Sequence, residues 1–194
     1  MIRKQMINKE FHKTKREIKS EFHEIENAKK SPEKFDVIYN RYHEQIFRYL
    51  YLRLDNKETA ADLTSQVFYK ALLKIESYSF KGLPFSSWLY RIAFNEMNMY
   101  FRKDSKNRTV NIESENINGL FEEFEEDYYC EEKEKLVKIL ANLSDERLSI
   151  VEMRFFEKRS FKEISEVMGI TENNAKVKLY RTLDKLKKNF NIRA

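Results

Sequence analysis

Apolar residues recur along most of this chain at the three- and four-residue spacings of a helix that turns one face to a core. Across residues 1–34 they are sparse: Ile7, Phe11, Ile18, Phe22 and Ile25 make a thin stripe among alternating lysines and glutamates. This reads as a basic N-terminal extension, a solvated helix docked loosely on the neighbouring domain or frayed, with a dedicated interaction arm as the alternative. Ser31-Pro32-Glu33 is a helix-start signature, with a capping residue, a proline at the first turn and an acid behind it. Phe35, Ile38, Tyr39, Tyr42, Ile46 and Leu50 then share one face of a helix running to about Leu54. Asp55 and Glu58 resemble a capping box for a second helix, whose stripe is Ala60, Leu63, Val67, Phe68, Ala71, Leu72 and Ile75. The stretch Tyr78–Ser86, with Gly82 and Pro84, breaks the pattern. A third helix from Ser86 or Ser87 to about Lys103 buries Trp88, Leu89, Ile92, Ala93 and Met97. Residues 35–103 are thus expected to form one compact helical domain.

The periodicity stops at Asp104. Residues 104–132 form an acidic linker, polar at first and then a tract where Phe121, Phe124, Tyr128 and Tyr129 alternate with glutamates. It resumes over 133–194 with Leu136, Val137 and Leu140, then Leu148, Val151 and Phe155 behind Ser144. Ser160 and Glu163 frame a capping box, Gly169 stands where a helix closes in the left-handed conformation, and Thr171 caps the next helix. That last helix carries Ala175, Leu179, Leu183 and Leu186. A short helix, a glycine turn and a longer helix make a helix-turn-helix.

Composition narrows the class. Only 3 Gly and 2 Pro occur in 194 residues, too few for turn-rich sheets, so the fold class is all-α: two small helical domains joined by an acidic linker, the C-terminal one a helix-turn-helix. The 37 Lys plus Arg against 32 Asp plus Glu, a net charge of +5, favour a polyanionic partner. The single Cys130 excludes an internal disulfide. His12, His23 and His43 are scattered, and Gly82, Gly119 and Gly169 are isolated. No metal, cofactor, phosphate loop or catalytic site is therefore expected. No apolar run approaches the ~18 residues of a membrane span, so a cytoplasmic protein without membrane insertion is expected.

Turning the leucine stripe of the last helix inward leaves Asn173, Asn174, Val177, Arg181, Asp184 and Lys188 facing outward, with Lys176, Lys178 and Tyr180 beside them. Asparagine pairs with adenine in the major groove, arginine with guanine, and a small apolar side chain meets a thymine methyl. Lys158, Arg159, Lys162, Lys185, Lys187 and Lys188 surround that face and suit phosphates, which position without specifying.

Three motifs add a resemblance. Residues 60–72, AADLTSQVFYKAL, and 88–95, WLYRIAFN, are similar to the paired motifs of extracytoplasmic-function (ECF) RNA polymerase sigma factors. Ile164–Arg181 resembles the family's helix-turn-helix, and all three stand in the family's order. The resemblance implies that the first motif docks on the clamp helices of the largest subunit of RNA polymerase core through Asp62, Leu63, Gln66 and Phe68. Ala61 and Gln66 stand where the family pattern has acids. It implies that the loop Tyr78–Ser86 captures a base flipped from a minus-ten promoter element and that the next helix grips the opened strand. Phe80, Lys81, Arg91, Asn95, Asn98, Arg102 and Lys103 are the residues so implicated, with Tyr90, Phe94, Tyr100 and Phe101 as further aromatic platforms. The last helix would read a minus-thirty-five element through Asn173, Asn174, Lys176, Val177, Lys178, Tyr180 and Arg181. Promoter DNA and polymerase core are the expected partners, with an anti-sigma factor as a possible third. The alternative is a free-standing helix-turn-helix regulator, which needs a self-complementary dimer face and a palindromic site.

Overall fold

The structure, a computed structural model, describes residues 13–54, 56–103, 120 and 130–191. Helix α1 spans Lys15–Lys30. Thr14 caps it in a reciprocal capping box with Glu17, Lys29 and Lys30 favour the negative end of its dipole, and Pro32 follows its last residue by two. After a single 3₁₀ turn at Pro32–Phe35 comes α2, Asp36–Tyr51, ending three residues short of the expected Leu54. Helix α3, Lys57–Lys74, is capped by Asn56, which accepts from the Thr59 N–H at 3.0 Å. Asn56 thus takes the role expected of Asp55, which lies outside the described residues. Helix α4 spans Phe85–Lys103.

The expected apolar stripes of α2 and α3 are buried, except that Tyr39 is exposed and Leu72 only half-buried. The one hydroxyl in the α3 stripe, Thr64, donates to the Ala60 carbonyl at 2.7 Å, so its burial leaves no orphaned donor. Two expectations fail. Helix α1 is not loosely docked: Glu21, Ile25 and Ala28 lie in the core, one face of the helix at i, i+4 and i+7. Ile7 and Phe11 lie outside the described residues. Trp88 and Ile92 are only half-buried, whereas Tyr90, Phe94 and Phe101, taken for strand-facing platforms, are buried. The cause is that α4 is covered on two sides, by α3 and by a helix of the second domain.

That second domain comprises α5, Cys130–Ala141, and α6, Asp145–Val151, which runs on through a π turn at Glu152–Phe156. Helices α7, Phe161–Met168, and α8, Glu172–Asn191, complete it. The acidic-aromatic tract lies outside the described residues. Among the described residues no helix is long and apolar enough to cross a membrane.

The two domains share one continuous buried cluster, and α4 packs directly on α7. The seam between them is unusually polar. Arg53, fully buried just past the end of α2, donates through Nε to both carboxylate oxygens of Glu152 at 2.8 Å and through Nη2 to Ser149 Oγ at 2.7 Å. Burial works against its charge, but the Glu152 carboxylate outweighs that and raises the guanidinium above its ordinary value. Tyr90 of α4 donates to Glu157 at 2.6 Å, while the Arg159 guanidinium lies 3.6 Å from the Tyr90 ring centroid. Burial first, and the Glu157 charge second, hold the Tyr90 hydroxyl well above its usual pKa, so it stays a neutral donor.

Candidate nucleic-acid interface

The turn between α7 and α8 is built locally. Ser160 and Glu163 form the expected capping box at the start of α7. Gly169 closes that helix at φ 67°, a left-handed conformation that L side chains resist. A Cβ there would stand 3.7 Å from Arg91 Nη2, an ordinary contact, so the glycine serves conformation and not space. Thr171 Oγ1 accepts from the Asn174 N–H at 3.2 Å and starts α8. Ala175, Leu179, Leu183 and Leu186 are buried as expected.

The opposite face of α8 is presented to solvent. Asn173, Asn174, Val177, Tyr180 and Arg181 are exposed together, a mixture of amides, an arginine and two apolar groups that matches the donor, acceptor and methyl pattern of a major groove. Lys176 and Lys178 are half-buried and paired, the first with Glu172 at 2.9 Å and the second with Glu146 at 2.6 Å. Surface pairs of this kind contribute about 0–1 kcal/mol, so a phosphate can replace either acid. Lys158, Lys162, Lys185, Lys187 and Lys188 are exposed around the face, but Arg159 is not among them. It is buried on Tyr90 and within 3.4 Å of Glu163, committed to the seam between domains and not to phosphate.

The loop before α4 and the α4 surface form a second polar face. Phe80 and Lys81 are exposed on the loop, and Asn95, Arg102 and Lys103 are exposed on α4, with Arg91 and Asn98 half-buried. The loop, Trp88 and Arg91 line a cavity of about 170 Å³, closed on one side by Glu166 of α7. Glu166 accepts from Lys81 Nζ at 2.8 and 2.9 Å and from Arg91 Nη1 at 3.1 Å. Partial burial would raise this carboxyl, but the hydrogen bond and charge of Lys81 and the charge of Arg91 prevail and hold it below its ordinary value. A lowered carboxyl fixes the sign of the pH effect: the contact is present above the ordinary carboxylate pKa and is lost as pH falls through the lowered one. The radius of gyration from small-angle scattering is expected to rise across that acid window. Glu166→Gln should remove the rise; a rise of unchanged size in the variant would exclude Glu166 as its source.

On α3 the four implicated docking residues divide. Asp62 and Gln66 are exposed one turn apart, whereas Leu63 and Phe68 are buried. Phe68 packs edge-on against Phe35 and Tyr39, so these two hold the domain together and are not free to dock. The exposed face instead continues through Tyr69 and Leu73, which are 63% and 64% exposed. Asp62, Gln66, Tyr69 and Leu73 fall at i, i+4, i+7 and i+11, one stripe along the helix. Sequence reasoning passed over the last two because only inward apolar positions were sought; apolar residues off the core stripe were the available signal.

Comparison with known proteins gives two family models in order, Sigma-70 region 2 over residues 38–107 and Sigma-70 region 4 over residues 133–186. ECF RNA polymerase sigma factor SigM of Bacillus subtilis is 30% identical over 158 residues, covering 80% of this chain and 94% of SigM. The chain is an ECF-type RNA polymerase sigma factor. ECF RNA polymerase sigma factor BldN of Streptomyces coelicolor is 32% identical over 152 residues, 77% of this chain, but the match spans only 57% of BldN's length. The solved structure of CnrH in complex with the cytosolic domain of CnrY shares the fold, with a TM-score of 0.64 at 15% identity, over 90% of this sigma factor and 99% of CnrH. Regions 2 and 4 of the sigma factor are therefore the first and second helical domains, with α1 lying ahead of the region 2 match. The family directs promoter-specific transcription initiation, which sets aside the free-standing regulator.

Proposed function

We propose that this sigma factor docks on RNA polymerase core through the exposed Asp62, Gln66, Tyr69 and Leu73 stripe of α3 and reads promoter DNA with two separate faces. The loop Tyr78–Ser86 and α4 take the opened minus-ten strand, and α8 reads the minus-thirty-five element as duplex. The observation that carries the reading is the α8 surface, where Asn173, Asn174, Val177, Tyr180 and Arg181 face solvent together above a buried leucine stripe.

The closed arrangement is not the DNA-bound one. Elements some 25 base pairs apart are separated by about 85 Å at 3.4 Å per base pair, while a compact chain of this length has a radius of gyration near 16 Å. Both faces cannot be engaged until α7 leaves α4. Lys81 and Arg91 are freed by the same step, exchanging one carboxylate, Glu166, for the phosphates of the strand. CnrH was solved with the cytosolic domain of CnrY; an anti-sigma partner of the present chain would act by holding these domains closed.

Run-off transcription with polymerase core and a genomic promoter pool tests the reading: initiation from a defined promoter set is expected, and none at all would refute it. Arg181→Ala should lower discrimination at one minus-thirty-five base pair by about 1–3 kcal/mol while core affinity is unchanged. Loss of core binding in that variant would place α8 in a different role.

A further inference from the structure

Helix α1 precedes the stretch matched by region 2, yet it grips the loop Tyr78–Phe85 at three points. Lys29 Nζ donates to the Tyr78 carbonyl at 2.9 Å and lies 5.8 Å from that ring's centroid. The Phe22 ring stands 4.9 Å from the ring of Phe80. At the far end, Glu21 Oε2 accepts from the Phe85 N–H at 3.0 Å. That amide opens α4 directly behind Pro84, which has no side-chain acceptor to offer, so the helix takes its cap from another helix.

Glu21 is a built feature and not a stray surface acid. It is almost wholly buried, and besides the Phe85 amide it meets Lys13 and the Tyr42 hydroxyl, with Arg41 3.8 Å away. A buried carboxylate persists only with partners of this kind. It ties α1 to α2 and to the start of α4 at once. The loop between is therefore held at its first residue, at its exposed aromatic and where it passes into α4, all by one helix.

We propose that α1 is a positioning element of the minus-ten site: Phe22 and Lys29 set the loop so that Phe80 and Lys81 meet the flipped base without a further ordering step. This rests on the assignment of that loop to the minus-ten strand. A loop ordered before binding spares the complex the entropy of fixing it, and a recognition group is only as accurate as the residues supporting it. Phe22 contributes the second ring of a pair whose outer ring, Phe80, remains solvent-accessible. Lys29 fixes the backbone from which that ring projects.

The test uses the full chain with polymerase core on a promoter obtained by run-off selection, carrying 2-aminopurine in the minus-ten non-template strand. Base–aromatic stacking lost at one position lowers binding by about fivefold or more. Phe22→Ala and Lys29→Met should each slow the fluorescence rise of strand opening by a factor of that order, with core affinity and thermal midpoint unchanged. Phe22→Tyr, which keeps the ring, should restore the rate. Phe80→Ala is the control for the underlying assignment. Wild-type opening by Phe22→Ala and Lys29→Met beside a slowed Phe80→Ala overturns the role of α1 alone. Unaltered opening by Phe80→Ala overturns the assignment of the loop and the role of α1 with it. Loss of core binding by Phe22→Ala with no rescue by Phe22→Tyr makes α1 a purely structural helix and also overturns the proposal.

Discussion

Arg53→Ala is expected to shift this sigma factor from the closed to an open arrangement by roughly 10²- to 5 × 10³-fold, the consequence of leaving one partner of a buried ion pair alone at a cost of about 3–5 kcal/mol. Arg53 belongs to the first domain and Glu152 to the second, and both are buried. Without Arg53 the Glu152 side chain is left buried in the seam beside Ser149 without the guanidinium that both its oxygens accept from. The chain has a cheaper response than unfolding, because separating the domains returns Glu152 to water while each keeps its helices. The radius of gyration should therefore rise with little loss of helical signal. The double variant Arg53→Met with Glu152→Met should close again, since a buried pair exchanged for apolar side chains of similar volume is often neutral or stabilising. An Arg53→Ala protein as compact as the parent would show that the pair does not hold the seam, and one that loses its helices would show that the domains do not stand apart.

The polarity of this seam also suits a closure that can be undone. Interfaces between domains of one chain are as a rule more polar than a core and allow relative motion. Here Arg53 with Glu152, Tyr90 with Glu157, and Lys81 and Arg91 with Glu166 fix one geometry. Net stabilisation from such pairs is small, so closure is specific without being deep.

Features that depend on neighbours in sequence were legible before the structure. The Ser160–Glu163 box, the left-handed Gly169, the Thr171 cap and the outward face of α8 all depend on residues within a few positions of one another. What escaped depends on residues far apart. Glu21 occupies a core position of α1 as a glutamate, so that helix looked like a solvated one until its partners Tyr42 and Phe85 came into view. Tyr90, Phe94 and Phe101 looked available on α4 because periodicity shows one buried face, whereas α4 is packed by α2, α3 and the second domain together, with Tyr90 against Tyr49, Glu157 and Arg159. Arg159 looked like a surface cation for the same reason.

The same distinction between stripe and surface separates the two kinds of α3 residue in the docking proposal. Leu63→Ala removes a side chain packed in the first domain's core, at a cost of about 2–5 kcal/mol through lost transfer energy and the cavity left behind. Any weakening of core binding in that variant should be accompanied by a lower thermal midpoint. Leu73→Ala removes a side chain that is 64% exposed, so stability should hold within about 0.5 kcal/mol. If the α3 stripe is the docking face, Tyr69 and Leu73 are its apolar centre, flanked by Asp62 and Gln66. Truncating a central anchor typically lowers affinity by about 2 kcal/mol or more, roughly 30-fold. The double variant Tyr69→Ala with Leu73→Ala should thus bind core polymerase at least about 10²-fold more weakly at an unchanged thermal midpoint, read by titration of labelled core. Undiminished affinity would move docking off this face, leaving two large apolar side chains exposed for some other partner. The parallel loss of stability and binding in Leu63→Ala separates an indirect effect from a direct one, because only the exposed pair can weaken docking without loosening the fold.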